Sequence, residues 1–389
     1  FAAFNHSVSG EGRTDLYSAS KINGKWTNII NLGPNVNSPY WDSQPTLSSD
    51  GNILYFASDR PGGQGGVDIW YSERTREGWS KAKNAGSNIN TSYDEMTPSL
   101  ALDDKTFAFA SNRPGGQGGF DIYFTKRNSN TTFTVPQNAG SPINSEYDEY
   151  FYVSVQNTNT AYFSSNRPGG DGNLDIYSAV PNPNKSAPVV FVTGQVTDVE
   201  TNEIVPNCKV EITDLSTRQK IATFFVDDET GEYDVVLQAG KRYAITATAP
   251  NYLFHSEKFE IPSDEKGRYI RKDISLSKNT VVLLLFFDFD KATLQDESIP
   301  ELNRIADYLN SNTNINIRLD GHTDDQGDAK YNQTLSENRA KAAKEYLVKN
   351  GIDARRIETR GFGKTKPLKE GTSEEARTVN RRVEMYIIK

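Results

Sequence analysis

At 389 residues the chain is too long for one ordinary domain, and two or three are expected. Its net charge of −8 argues against nucleic acid or an anionic membrane surface as a partner. With 29 glycines, 19 tyrosines and little helical periodicity before residue 295, it reads as multidomain, mainly β and then α/β.

The chain begins at Phe1 with neither initiator methionine nor signal peptide, so it is expected to be a piece of a longer precursor. An internal repeat fills its first half. Phe56–Trp70 recurs as Phe109–Tyr123 and as Phe163–Tyr177, a period of 53 to 54 residues. Each copy has an apolar strand, a Gly/Pro loop and a second strand bearing Asp-Ile-aromatic. Gln44-Pro45, Asp94-Glu95 and Asp148-Glu149 precede them, and Asp15-Leu16-Tyr17 is a degenerate fourth copy. Four short strands per unit predict a β-propeller over residues 1–183. The motif resembles the WD40-like, PD40 blades of TolB-type propellers. Three complete units and a fragment fall short of a ring, so either upstream sequence completes it or the first and last segments share a blade.

Two features of the repeat invite other readings. Asp171-Gly172-Asn173-Leu174-Asp175 imitates the start of a calcium loop, but its sister copies do not, and no glutamate closes the loop. No metal site is expected. Arg60, Arg113 and Arg167 could line a ligand-binding mouth. The stronger reading has each one organise its own loop, bonding carbonyls and the Asp of Asp-Ile-aromatic. Trp41, Trp70 and Trp79 read as blade core.

Pro181-Asn182-Pro183-Asn184-Lys185-Ser186-Ala187-Pro188 is a linker by composition. Alternating strands follow near residues 192–198, 208–213, 221–226, 233–237 and 243–249, a β-sandwich over residues 188–277. The pattern resembles the carboxypeptidase regulatory-like, transthyretin-like fold, with Asn251 where glycine is common. Both residues tolerate a left-handed turn. Cys208 is the single cysteine, so no intrachain disulfide forms, and it reads as a small buried hydrophobe. The sandwich shows no catalytic cluster, and a spacer role is the default.

Residues 279–389 alternate β and α. Val281–Phe287 is too short an apolar run to span a bilayer and reads as a buried central strand. Ile299, Leu302, Ile305, Ala306 and Leu309 mark one helical face. A strand is expected over 315–321, a helix from about 337 to 349 ending at Asn350-Gly351, and strands over 356–361 and 383–388. Ser336 looks like an N-cap, which would put Arg339 in the first helical turn, beside unsatisfied amides. Asp324 offers a carboxylate and Arg339 a planar fork. Together they suit a zwitterion such as a free amino-acid end, or they close a strand-to-helix turn as an ion pair.

Gly321-His322-Thr323-Asp324, Asn332, Leu335–Ala340, Phe287-Asp288-Phe289-Asp290 and Asn380-Arg381-Arg382-Val383-Glu384 resemble the OmpA C-terminal, peptidoglycan-binding domain. The resemblance implies that Asp324 holds the ammonium of diaminopimelate and Arg339 its carboxylate. Asp288, Phe289, Thr323, Asn332, Leu335 and Arg381 match further family positions of the site. Ala376 departs from the family's usual glycine, in what is expected to be a loop.

No G-x-S-x-G, H-E-x-x-H or P-loop is present, and His6, His255 and His322 are dispersed, so neither an enzyme nor a cofactor is expected. A glycosidase carboxylate pair on the propeller is the residual enzymatic alternative. The domain order is similar to PorE-type periplasmic proteins of the Bacteroidota type IX secretion system. That resemblance implies a tether in the periplasm, holding an outer-membrane-associated protein complex to peptidoglycan. The alternative is a general OmpA-family envelope-integrity protein whose TolB-like propeller serves another partner.

Overall fold

The computed structural model describes residues 2–6, 12–22, 25–75, 77–129, 132–287 and 291–388. The chain divides into two compact units. One is Phe1–Phe191 with Val235–Ala239 and Ser263–Tyr269; the other is Val192–Asp234 with Gly240–Pro262 and Ile270–Lys389.

The repeat folds as four successive open antiparallel sheets. The first holds Ala2–His6, Asp15–Ile22 and Lys25–Asn31. The second holds Asp42–Leu47, Ile53–Ser58 and Asp68–Thr75, with Gly78–Trp79 and Lys83–Asn84 both paired to the last. The third holds Glu95–Leu100, Thr106–Ser111, Asp121–Lys126 and Gln137–Asn138, and the fourth Glu149–Ser154, Ala161–Ser165 and Asp175–Ala179. Ile53–Ser58 and Thr106–Ser111 are buried at every position, so both faces of these strands are covered. Tyr55 and Ile69 of the second sheet pack on Phe107 and Phe109 of the third, and Ala110 and Ile122 of the third pack on Tyr152 and Phe163 of the fourth. Burying each large side chain contributes roughly 1.5–3 kcal/mol. Trp70 and Trp79 are buried in a separate cluster with Leu16, Leu54 and Phe56, and Trp41 is half-buried.

Each repeat arginine does organise its loop, but its acid is not the one the sequence suggested. Arg60 donates to Val36 O at 2.5 Å and to Asp42; Arg113 to Ile89 O at 2.5 Å and Glu95 at 3.1 Å; Arg167 to Ile143 O at 2.5 Å and Glu149 at 3.0 Å. The reason is strand register. Asp42, Glu95 and Glu149 stand directly across from Ser58, Ser111 and Ser165, two residues before each arginine. The Asp of Asp-Ile-aromatic instead accepts loop amides: Gln64 N to Asp68 and Gln117 N to Asp121 at 2.5 Å each, and Gly172 N to Asp175 at 3.2 Å.

The segment that composition marks as a linker is tied down. Asn182 and Asn184 are buried. Asn182 accepts from Tyr152 Oη at 2.6 Å and donates to Ser154 Oγ at 2.7 Å, while Ala187 N donates to Asp103 at 2.8 Å.

Residues 189–276 form two further sheets. Gln219–Phe225, Lys209–Asp214, Lys241–Thr248 and His255–Ile261 run antiparallel in that order. Glu232–Gln238, Val189–Asp198 and Tyr269–Arg271 make the other, with Ile274–Leu276 parallel to Val189–Asp198. Asn251 takes the left-handed turn at φ 65°. Burial pushes the Cys208 thiol up to about 11.

The C-terminal α/β region has strands β1 (Thr280–Leu283), β2 (Asn316–Gly321), β3 (Ile357–Gly361) and β4 (Val383–Ile388), in the sheet order β1-β4-β2-β3. Helices α1 (Ile299–Ser311), α2 (Ala329–Lys349) and α3 (Glu374–Asn380) accompany them. Leu302, Ile305, Ala306 and Leu309 of α1 join Ala340, Ala343 and Leu347 of α2 in one core with Ile317, Leu319, Val383 and Met385. Ile299 is only half-buried. The run Val281–Phe287 is not a central strand: only Thr280–Leu283 is extended, at the sheet edge, with Val281 and Leu283 inward and Val282 exposed. Leu253 and Phe254 enter this same core, and buried Glu301 accepts from Ser256 Oγ at 2.9 Å and from Leu284 N at 3.0 Å. Among the described residues no helix is long and apolar enough to cross a membrane.

Candidate functional site

Two glycines create the site by letting a helix touch strand ends. Gly321 and Gly361 face each other across β2 and β3. A Cβ on Gly321 would lie 2.0 Å from Ser336 O, and one on Gly361 would lie 2.7 Å from Glu337 N. Only glycine admits α2 this closely. Ser336 is consequently buried inside the helix, its Oγ accepting from Gly363 N at 2.9 Å and donating to Gln333 O at 2.9 Å. It is not the N-cap. That role falls to Asp328, extended at φ −78° and ψ 158°, which accepts from Tyr331 N at 2.8 Å.

The earlier start moves Arg339 out of the first turn and away from the unsatisfied amides. It now shares a buried face with Asn332 and Ser336, at i, i+4 and i+7. Arg339 is 7 % exposed, with its guanidinium carbon 5.0 Å from the Phe287 ring centre and Nε donating to Lys291 O at 3.2 Å.

Asp324 lies in the loop after β2 and is 8 % exposed. Its ion pair is with Arg381, Nη1 to Oδ2 at 2.8 Å, and not the turn-closing pair with Arg339 that the sequence left open. Its other oxygen accepts from Gln326 N at 3.1 Å. Arg381 also reaches Glu374 at 2.6 Å. Burial opposes the charge on Arg381, but Glu374 and Asp324 outweigh it and hold the guanidinium above its ordinary value.

Neighbouring residues hold the Asp324 loop. Thr323 N donates to Gly363 O at 2.9 Å and its Oγ1 to Asp324 O at 3.1 Å. Buried Asn332 donates to Gln326 O at 2.6 Å, and Leu335 is half-buried on the same helix. Thr323, Asp324, Asn332 and Arg381 are therefore linked by hydrogen bonds and ion pairs around one loop. Arg339 stands two turns further along α2, about 10 Å down the axis at 1.5 Å per residue. Asp288 and Phe289 lie outside the described residues.

Sequence reasoning missed the outer ring of charges. Arg377 grips Asp325 with two bonds, at 2.7 and 3.0 Å, and hydrogen bonding to Arg377 holds the Asp325 carboxyl below its usual range. Ala376 is not in a loop but buried in α3, where Ser373 caps its amide at 3.2 Å. A Ser-x-x-Ala start before Asn380 was the available signal. His322 is buried, stacked on Phe362 with 5.4 Å between ring centres. Burial opposes the charge on Glu384, yet His322, Tyr386 and Arg382 hold its carboxyl down at about 2.

The model of the OmpA family matches residues 286–381, which span this loop, α2 and α3. The peptidoglycan-associated lipoprotein of Pasteurella multocida is 34 % identical over 127 residues, covering 33 % of this chain and 82 % of the relative. The chain belongs to the OmpA family. Outer membrane porin F of Pseudomonas fluorescens is 40 % identical over 101 residues, 26 % of this chain. The match spans 31 % of that porin's length. Among solved structures, the peptidoglycan-associated lipoprotein from Burkholderia pseudomallei is 32 % identical. It covers 28 % of this chain and 91 % of that one, with a TM-score of 0.26.

Proposed function

We propose that this protein binds peptidoglycan non-covalently, through the diaminopimelate of the stem peptide, and does not act as an enzyme. One observation carries the reading. Asp324 and Arg339, an anion and a cation each more than nine-tenths buried, are positioned by one helix and its leading loop. Charged side chains buried this deeply concentrate at functional sites. The ligand ammonium would share Asp324 with Arg381, whose side chain is 35 % exposed and has Glu374 as a second partner. The ligand carboxylate would take the Arg339 fork, stiffened by Phe287 beneath it. Thr323, Asn332 and Leu335 would hold the loop and helix in place, and Asp288 and Phe289 complete the family pattern. The similarity to the Pasteurella multocida peptidoglycan-associated lipoprotein supports the same ligand.

The four repeat sheets support a blade-built propeller platform, and the residues 188–277 a transthyretin-like spacer. A wall-binding end joined to a platform is suited to tether an outer-membrane-associated protein complex, of the type IX secretion kind, from the periplasm of a Gram-negative cell. Co-sedimentation of the full chain with diaminopimelate-containing sacculi tests the reading. Asp324→Ala should abolish sedimentation, because losing one partner of a desolvated charge pair costs about 2–5 kcal/mol. Undiminished sedimentation of that variant would refute the ammonium assignment.

A further inference from the structure

Beside the Asp324 site stands a lysine that comes from outside the OmpA-type region. The strand His255–Ile261 belongs to the same compact unit as the C-terminal α/β region. Side chains along a strand alternate between its faces. Phe254 enters the C-terminal core, and Ser256 donates to buried Glu301 of α1 at 2.9 Å. Lys258, two residues on, projects to the same side, and its ammonium stands 5.1 Å from the Phe286 ring centre.

That position touches both halves of the site. Phe286 is fixed by its backbone: its N–H donates to Ser298 Oγ at 2.7 Å and its carbonyl accepts from Gln295 N at 2.9 Å. The next residue, Phe287, is the ring beneath Arg339, 5.0 Å from the guanidinium carbon. On the other side is Arg381, the partner of Asp324. The Lys258 side chain is exposed overall, but desolvation at its ammonium end holds it below its ordinary value, and the charges of Arg381 and Arg242 push the same way.

The described acids around this lysine are taken. Glu257 pairs with Lys272 at 2.7 Å, Glu297 with Arg218 at 3.0 Å, Glu301 with Arg304 at 2.8 Å and Glu374 with Arg381 at 2.6 Å. Glu260 lies across from Arg242 in strand register. Among the described residues, Lys258 itself has the Phe286 ring and no acid. The ring holds the ammonium in place, and the like charges facing it favour an incoming anion.

We propose that Lys258 is a specificity-determining residue of the wall-binding site: its ammonium takes a second carboxylate of the stem peptide, on a residue bonded directly to the diaminopimelate. This role presupposes peptidoglycan binding. Consecutive residues of a peptide lie about 3.8 Å apart, so a diaminopimelate anchored at Asp324 and Arg339 brings its neighbours' carboxylates to the rim where Lys258 stands. The β region of residues 189–276 then supplies part of the binding surface and is more than a spacer.

The test is isothermal titration of the full chain with three synthetic diaminopimelate stem peptides. One has all its carboxylates free; the other two carry an amide, on the residue before or the residue after diaminopimelate. The wild-type protein should lose about fivefold in affinity with one of the amides, the upper range for an exposed ion pair. Which amide does so names the source of the carboxylate. Lys258→Gln should bind all three peptides alike, at the weaker affinity, and Lys258→Arg should restore the discrimination. Melting should stay nearly unchanged in both variants, since that side chain is exposed. Discrimination that persists in Lys258→Gln would overturn the assignment. Binding of all three peptides alike by the wild-type protein would overturn the role of Lys258 alone, whereas no binding of any peptide would overturn peptidoglycan recognition and this role with it.

Discussion

Arg339 is buried mid-helix over an aromatic ring, and that setting decides what its replacement should do. At a helix start, where the dipole is positive, removing the charge would leave melting unchanged or raise it. In the observed position, Arg339→Gln forfeits a cation–π contact worth about 0.5–2 kcal/mol and the bond to Lys291 O, so melting should fall. Arg339→Lys keeps the charge but not the planar fork. It should melt closer to wild type yet bind sacculi at least about tenfold more weakly, or about 1.4 kcal/mol. Thermal melts and co-sedimentation on both variants check this pair of outcomes. Glu384 sets an acid limit on the same region. Its folded value of about 2 lies below the ordinary 4.5, so its contribution is fully present above about pH 4.5 and is lost as pH falls toward 2. Glu384→Gln should flatten the melting-temperature profile over that window.

At the scale of elements, tertiary contact overrode local capping chemistry. Val383–Ile388 was legible to the residue, because Val383, Tyr386, Ile387 and Ile388 are strand-forming residue types. The start of α2 was not: Ser336 carries a cap's residue type, but the bare strand ends at Gly321 and Gly361 draw the helix backbone onto them. The turns before Ser336 contain Asn332 and Thr334, both weak helix formers, so the sequence hides eight helical residues. Gly321→Ala should therefore destabilise the protein by about 1–3 kcal/mol, because the added carbon meets the backbone oxygen of Ser336, which cannot swing aside. A small change in denaturant midpoint would show that the helix can lift off without cost.

Across the whole molecule, the repeat was legible because its spacing is written in glycine, proline and Asp-Ile-aromatic, whereas its ion pairs were not. The acid that each arginine takes lies 18 residues upstream, brought close only by strand register. The site divides the same way. Asp324, Thr323, Asn332 and Arg381 do meet around one loop, but the link from Asp324 to Arg381 joins residues 57 apart and needed the fold to be seen. Under the proposed function, Asp324 and Arg339 read the two ends of one zwitterion. Isothermal titration of the full chain with two stem peptides tests it most directly: one carries diaminopimelate, the other lysine, which lacks the second carboxylate. The diaminopimelate peptide should bind at least about tenfold tighter, with the preference erased in Arg339→Lys. Equal affinity of the wild-type protein for both peptides would contradict it.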